Sequence, residues 1–173
     1  MKLKHLLLTA VLLLTTMAFG ATPFTSQELG FSATFPGDKV EQVKGLDYTE
    51  TIGVDLGKTS GYVSTVQIDL SKVTINEDFV KAQLNDFVAA QEITVDKELG
   101  TGLIYTTDKT TGYPVAAVVG TATTEEHKLK LNVYVAFIVE KDKNREYFVM
   151  GMIVEGQDGT DGRNFIGSFQ LLP

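Results

Sequence analysis

Three acidic residues in the Gly-rich segment 155–162 are the candidates for metal chemistry in this sequence. Glu155, Asp158 and Asp161 are spaced at intervals of three in Glu-Gly-Gln-Asp-Gly-Thr-Asp-Gly. Carboxylates spaced in this way on a flexible loop can wrap a hard cation such as Ca²⁺. The segment does not fit an EF-hand, because its glycines fall out of register with its acids. Two interpretations stay open: a calcium site, or a flexible turn in which Thr160 or Asp161 caps a following helix.

Two other segments resemble reactive sites only superficially. His127 is the one histidine beyond residue 20, and it lies in the charged segment Glu-Glu-His-Lys. No G-x-S-x-G elbow and no cysteine accompanies it, so the pattern favours a solvated turn over a catalytic triad or a zinc site. Gly57-Lys58-Thr59 imitates a phosphate loop, but its glycine spacing is one residue short and a strand follows it. We predict a hairpin turn there.

Two dispersed sets of residues complete the candidates. Acids distant in sequence could converge into a hydrolase site, but the spacing singles out no pair. Tyrosines in predicted strands could line a hydrophobic ligand groove, although aromatic residues in strands usually pack within a sheet. These tyrosines are Tyr48, Tyr62, Tyr105, Tyr113 and Tyr134.

The first 20 residues have the pattern of a cleavable signal peptide. Lys2 and Lys4 precede an apolar run over residues 6–14, and small residues at positions 18 and 20 suit cleavage after Gly20. The alternative is a retained N-terminal anchor. Cleavage leaves one predicted domain, residues 21–173, with no lipid-modified cysteine and therefore no stable membrane anchor. We expect a periplasmic or secreted protein.

Composition narrows the function classes further. The chain has no cysteine, which excludes disulfides and thiol nucleophiles, so stability must come from a hydrophobic core. Removing the two lysines of the signal changes the net charge from −7 to −9. Such an acidic domain is a poor binder of the phosphate backbone, and we expect no nucleic-acid partner. No cofactor is implied, apart from the calcium discussed above.

The elements that must position these residues are mostly strands. Residues 145–154 are apolar on both faces, which predicts a strand inside a sheet rather than at its edge. Residues 24–30 read as an irregular lead-in to a strand at 31–35. The apolar stripe of residues 79–88 predicts a helix with Asn76 as its N-cap. Further strands are predicted at 51–56, 62–70, 93–97, 102–107, 115–122 and 129–139. The order predicts an α+β domain, with an antiparallel sheet flanked by helices.

The assembled pattern resembles the PsbP-like superfamily, which includes the photosystem II extrinsic subunit and DcrB-like exported bacterial proteins. The resemblance rests on the opening Gly-Phe-Ser-Ala-Thr-Phe-Pro at 30–36, on Arg-Glu-Tyr-Phe-Val at 145–149 and on the closing Asn-Phe-Ile-Gly-Ser-Phe at 164–169. It implies an antiparallel sheet sandwiched by helices, an α/β/α arrangement. It also implies a binding or accessory role rather than an enzymatic one.

We therefore predict an exported, non-enzymatic accessory module that binds another envelope or secreted protein. The alternative is a small-ligand or cation carrier that uses a groove on the sheet or the acidic loop at 155–162.

Overall fold

The computed structural model describes residues 20–124 and 128–173, so residues 1–19 of the predicted signal peptide and His127 lie outside the described residues. The strands are β1 (Ala21–Ser26), β2 (Phe31–Pro36), β3 (Val40–Lys44), β4 (Tyr48–Asp55), β5 (Thr59–Gln67), β6 (Thr94–Tyr105), β7 (Gly112–Thr123), β8 (Lys130–Glu140), β9 (Arg145–Val154) and β10 (Gln170–Leu171). The helices are α1 (Glu77–Ala90) and α2 (Thr160–Ser168), and a 3₁₀ turn spans Lys141–Lys143.

Seven of these strands form one antiparallel sheet in the order β3-β4-β5-β9-β8-β7-β6. Strand β9 occupies the central position, which confirms the prediction made from its two apolar faces. Val149 and Tyr147 on one face and Met150 on the other are all buried. A strand that is apolar on both sides needs cover on both sides, and the rest of the fold supplies it.

Helix α1 covers one face of the large sheet. Its N-cap is Asn76, whose side-chain oxygen accepts the Phe79 N–H at 2.9 Å, as predicted. Val80, Leu84 and Val88 are buried against strands β6 to β8. The predicted apolar stripe is thus confirmed as the side of the helix that packs on the sheet.

The other face is covered mainly by a second, three-stranded sheet in the order β1-β2-β10. Phe31 and Phe35 of β2 are fully buried there, and the Phe35 ring lies 4.8 Å from that of Phe165 in α2. Phe24 of β1 packs on both β2 phenylalanines, at 5.5 and 5.8 Å between ring centroids. The short helix α2 fills the remainder of this layer.

The predicted α/β/α sandwich is therefore wrong. The described chain is a β-rich fold of two sheets, in which the second face of the large sheet is covered mainly by the small sheet and only in part by α2. The difference starts at residues 24–30, for which the sequence predicts an irregular lead-in. Residues 21–26 instead pair along their whole length with β2, because Phe24 gives this otherwise polar strand a buried anchor.

Three local predictions also need correction. The short strand β3 was not predicted, and the two strands predicted at 93–97 and 102–107 are one bulged strand, β6. Helix α2 starts after Gly159 and has no side-chain cap from Thr160 or Asp161. No helix of the described residues is both long enough and apolar enough to cross a membrane.

Candidate functional site

The acidic loop does not assemble a metal-binding group in the part of the chain that the structure describes. Asp158 accepts hydrogen bonds from the Thr160 N–H (3.0 Å) and hydroxyl (2.6 Å), and these bonds lower the pKa of its carboxyl group. Glu155 lies 3.9 Å from the Lys130 ammonium. Residues 20–124 and 128–173 contain no group of three or more His, Asp or Glu side chains arranged to hold a metal ion. The calcium site at Glu155, Asp158 and Asp161 stays a prediction.

The other sequence candidates are also placed by the structure. Gly57 and Lys58 form the tight turn between β4 and β5, with Gly57 at a φ of +76°, which confirms the predicted hairpin turn. Tyr62 and Tyr113 are buried in two different core clusters, on opposite faces of the large sheet. The predicted tyrosines therefore do not share one groove.

A buried charge network connects the β8–β9 turn to the small sheet. The Glu140 carboxylate is fully buried and accepts the Tyr147 hydroxyl at 2.7 Å. The ammonium of Lys143 lies 3.3 Å from it, and the Arg145 guanidinium 3.8 Å. Lys143 also donates to the Leu172 carbonyl at 2.9 Å. These contacts compensate the buried charge and hold the last residues of the chain against the large sheet, which is a structural role.

Two further carboxylates are nearly buried on the α1 face of the sheet. Glu50 accepts the Tyr62 hydroxyl at 3.0 Å with one oxygen, and its other oxygen has no hydrogen-bond partner among the described residues. Burial, reinforced by the nearby Glu50 charge, raises the pKa of Tyr62. Burial also raises the pKa of Glu146. Neither carboxylate lines the cleft between α1, β6 and β7.

The exposed feature that could bind a partner is strand β6, at one end of the large sheet. It is 12 residues long, and Leu99, Leu103 and Tyr105 are 55%, 57% and 54% exposed. Strand β3, at the opposite end, has only 5 residues. Soluble proteins usually shorten, charge or cover their edge strands, because an unpaired edge is a template for another strand.

The C-terminal half of β6 presents unpaired backbone groups on the side that faces away from β7. The Thr106 N–H donates to Thr111 across the hairpin, whereas the next N–H, of Thr107, points outward to Leu171. Hydrogen bonding alternates in an antiparallel pair, so the backbone groups of Leu103 also point outward. Pro114 lies opposite Leu103 and has no N–H to donate, which agrees with a position where β6 and β7 exchange no hydrogen bond. Within the described residues, the bridge between Thr106 and Leu171 is the only pairing on this side.

The two halves of β6 differ in how well they are protected. Register shifts between Val95 and Lys97 and between Glu98 and Gly100 mark bulges in the first half, which also carries the charges of Asp96, Lys97 and Glu98. Bulges and charges are both devices that discourage strand addition. Residues 100–105 have neither, and we call them the docking edge.

Comparisons with known proteins do not assign this chain to a family. No family model matches it and no curated protein matches it. Among solved structures, it is similar to the crystal structure of PA94, a Pseudomonas aeruginosa protein of unknown function. The TM-score is 0.40 and the sequence identity 12%, over 78% of this chain and 83% of that one.

Proposed function

We propose that this protein is an exported, non-enzymatic accessory module that binds an extended segment of another envelope or secreted protein along the docking edge, residues 100–105 of β6. The observation that carries the proposal is the long edge strand β6, in which Leu103 and Tyr105 are exposed in the half without bulges. Export rests on the signal-peptide pattern of residues 1–20.

Strand addition fits both kinds of group that the docking edge exposes. An incoming strand would satisfy the outward N–H and C=O groups of Thr101 and Leu103, which provides affinity independent of sequence. Leu103 and Tyr105 lie on the same face of the strand, because side chains alternate along a strand. Ile104 between them points to the other face, where it packs against the core cluster that contains Tyr113. A partner strand with apolar side chains on that face would remove both from water.

Charge favours a basic partner over a second copy of the chain. Asp96 and Glu98 outnumber Lys97 beside the docking edge, and the full chain has a net charge of −7. Two copies paired through β6 would bring two acidic segments together on two acidic proteins, which costs free energy. An extended segment with lysine or arginine next to apolar residues would be attracted instead.

Position-specific crosslinking in the source cells tests this proposal. A photo-crosslinking amino acid replaces Leu103 in one variant and Leu46 in the control variant. Leu46 is 96% exposed and lies in the turn between β3 and β4, at the far end of the sheet. We expect Leu103 to give an adduct with one other envelope or secreted protein, mapped to an extended basic and apolar segment, and Leu46 to give none.

Affinity then checks the same surface in vitro, with a synthetic peptide of the mapped segment. Leu103→Lys removes apolar contact and adds a positive charge, and losing the burial of one leucine corresponds to roughly 10- to 100-fold in Kd. Leu46→Lys should leave Kd unchanged. Equal adducts from both positions, or adducts only between copies of this chain, would refute the proposal.

A further inference from the structure

A small cleft lies directly beside the docking edge. It has a volume of about 30 Å³ and lies between α1 and strands β6 and β7. Its lining includes Lys81, Leu84, Asn85, Glu98, Gly100 and Ala116. The cleft is thus open to the surface next to the residues that would pair with a partner strand.

The bulge in β6 is what leaves this space open. Gly100 follows the register shift at a φ of +91°, a conformation that favours glycine. A Cβ at this position would have no atom within 4 Å, so no neighbouring group encloses the cleft at Gly100. The next residue, Thr101, already has its backbone groups directed outward.

The cleft has apolar residues at its base and charged residues at its rim. Leu84 and Ala116 are 2% and 1% exposed and form an apolar floor. Lys81 of α1 and Glu98 of β6 bring charges of opposite sign, so the rim has no net charge to compensate a charged occupant, and burying a charge against the apolar floor costs free energy. The volume is about two to three times the minimum that a cavity needs to hold one water molecule, so only a small group fits.

We infer that the cleft receives one small, uncharged side chain of the docked strand, such as alanine, and so selects among the segments that the docking edge can pair with. This inference rests on the proposed function. Backbone pairing gives affinity for any extended segment, whereas a pocket that accepts one side chain gives specificity. The partner strand therefore carries a small residue at the position next to Gly100, flanked by apolar and basic residues.

A random 12-residue peptide library selected on the purified full chain tests the inference. We expect the enriched peptides to share a small residue at one fixed position. Replacing that residue by leucine should weaken binding about tenfold or more, the range that a tight apolar pocket gives for extra methylene groups. The variant Asn85→Trp, which places a bulky ring over the cleft from an exposed position on α1, should weaken binding of the selected peptides similarly.

A matched variant and a second readout separate the possible outcomes. Ala82→Trp adds the same ring to an exposed position on α1 outside the cleft lining and should leave binding unchanged. Peptides that require Leu103 but show no positional preference, or that bind Asn85→Trp normally, would overturn the cleft inference and leave the docking edge intact. Enriched peptides that bind Leu103→Lys as well as the unmodified chain would overturn both.

Discussion

Replacing Tyr147 by phenylalanine should measure how much the buried Glu140 network contributes to stability. The Tyr147 hydroxyl has one proton and two acceptors in reach, the Glu140 carboxylate at 2.7 Å and the Leu29 carbonyl at 2.9 Å. The shorter contact with a charged acceptor is the stronger bond. The Arg145 guanidinium donates to the same hydroxyl at 3.2 Å. The substitution therefore removes one charge-assisted bond at a fully buried carboxylate and one bond from a cation.

The expected cost is about 2 to 3 kcal/mol, because a hydrogen bond to a charged group contributes about 1.5–3 kcal/mol and the buried oxygen is left with only a distant cation. Lys143 and Arg145 still compensate the charge, which keeps the loss below that of breaking the whole network. Urea unfolding at pH 7 gives the value, read from the midpoint at a constant m-value. Tyr134→Phe is the control, since the Tyr134 hydroxyl makes no hydrogen bond to the described residues. A loss below about 0.5 kcal/mol for Tyr147→Phe would refute this account of the network.

Substitutions at three further places in the fold, one of them with a matched control, have expected outcomes. Burial raises the pKa of Glu146, so the native state holds this proton to a higher pH than the unfolded chain does. The free energy of unfolding therefore falls as the pH rises from the unfolded-state pKa to the native pKa. The stability that Glu146→Gln adds should accordingly increase from about pH 4 upward, as measured by urea unfolding. Asn76→Ala removes the N-cap bond of α1 and should cost about 1 kcal/mol in the same measurement. Gly61→Ala would place a Cβ 2.7 Å from the Phe165 ring and should cost about 1–3 kcal/mol, whereas Gly167→Ala, with no atom within 4 Å, should not destabilise.

Each of these three predictions has a result that would contradict it. A gain for Glu146→Gln that is the same at pH 4 and pH 7 would contradict burial as the cause of its pKa shift. Equal thermal stability of the Gly61 and Gly167 variants would show that the layer of α2 moves freely to admit a methyl group. Unchanged helix content and stability in Asn76→Ala would contradict the capping bond.

The central strand and helix α1 could be predicted because their patterns are local. The two apolar faces of residues 145–154 and the stripe at 79–88 each identify an element without reference to the rest of the chain. The second sheet could not be predicted in this way. Strand β1 has a half-exposed pattern with Pro23 and few apolar residues, and only its pairing with β2 makes it a strand.

The docking edge was missed for a related reason. The bulges at residues 95–100 interrupt the alternation of side chains, so one strand read as two short ones. Its place at the end of the sheet follows from the order β5-β9-β8-β7-β6, in which β5 pairs with a strand far along the chain. Periodicity shows that a strand exists but not which strands lie beside it. The network around Glu140 likewise includes the bonds from Tyr147 to the Leu29 carbonyl and from Lys143 to the Leu172 carbonyl, which no local pattern reveals.

The small sheet joins the two ends of the described chain, because β1 and β2 precede every other strand and β10 follows them all. Closing such a long loop has an entropic cost, and pairings between distant segments form late in folding. The pairing of β10 with β2 is therefore expected to form after the hairpins of the large sheet. Until then the small sheet lacks its third strand, and the side chains of Leu171 and Leu172 do not yet contribute to the core.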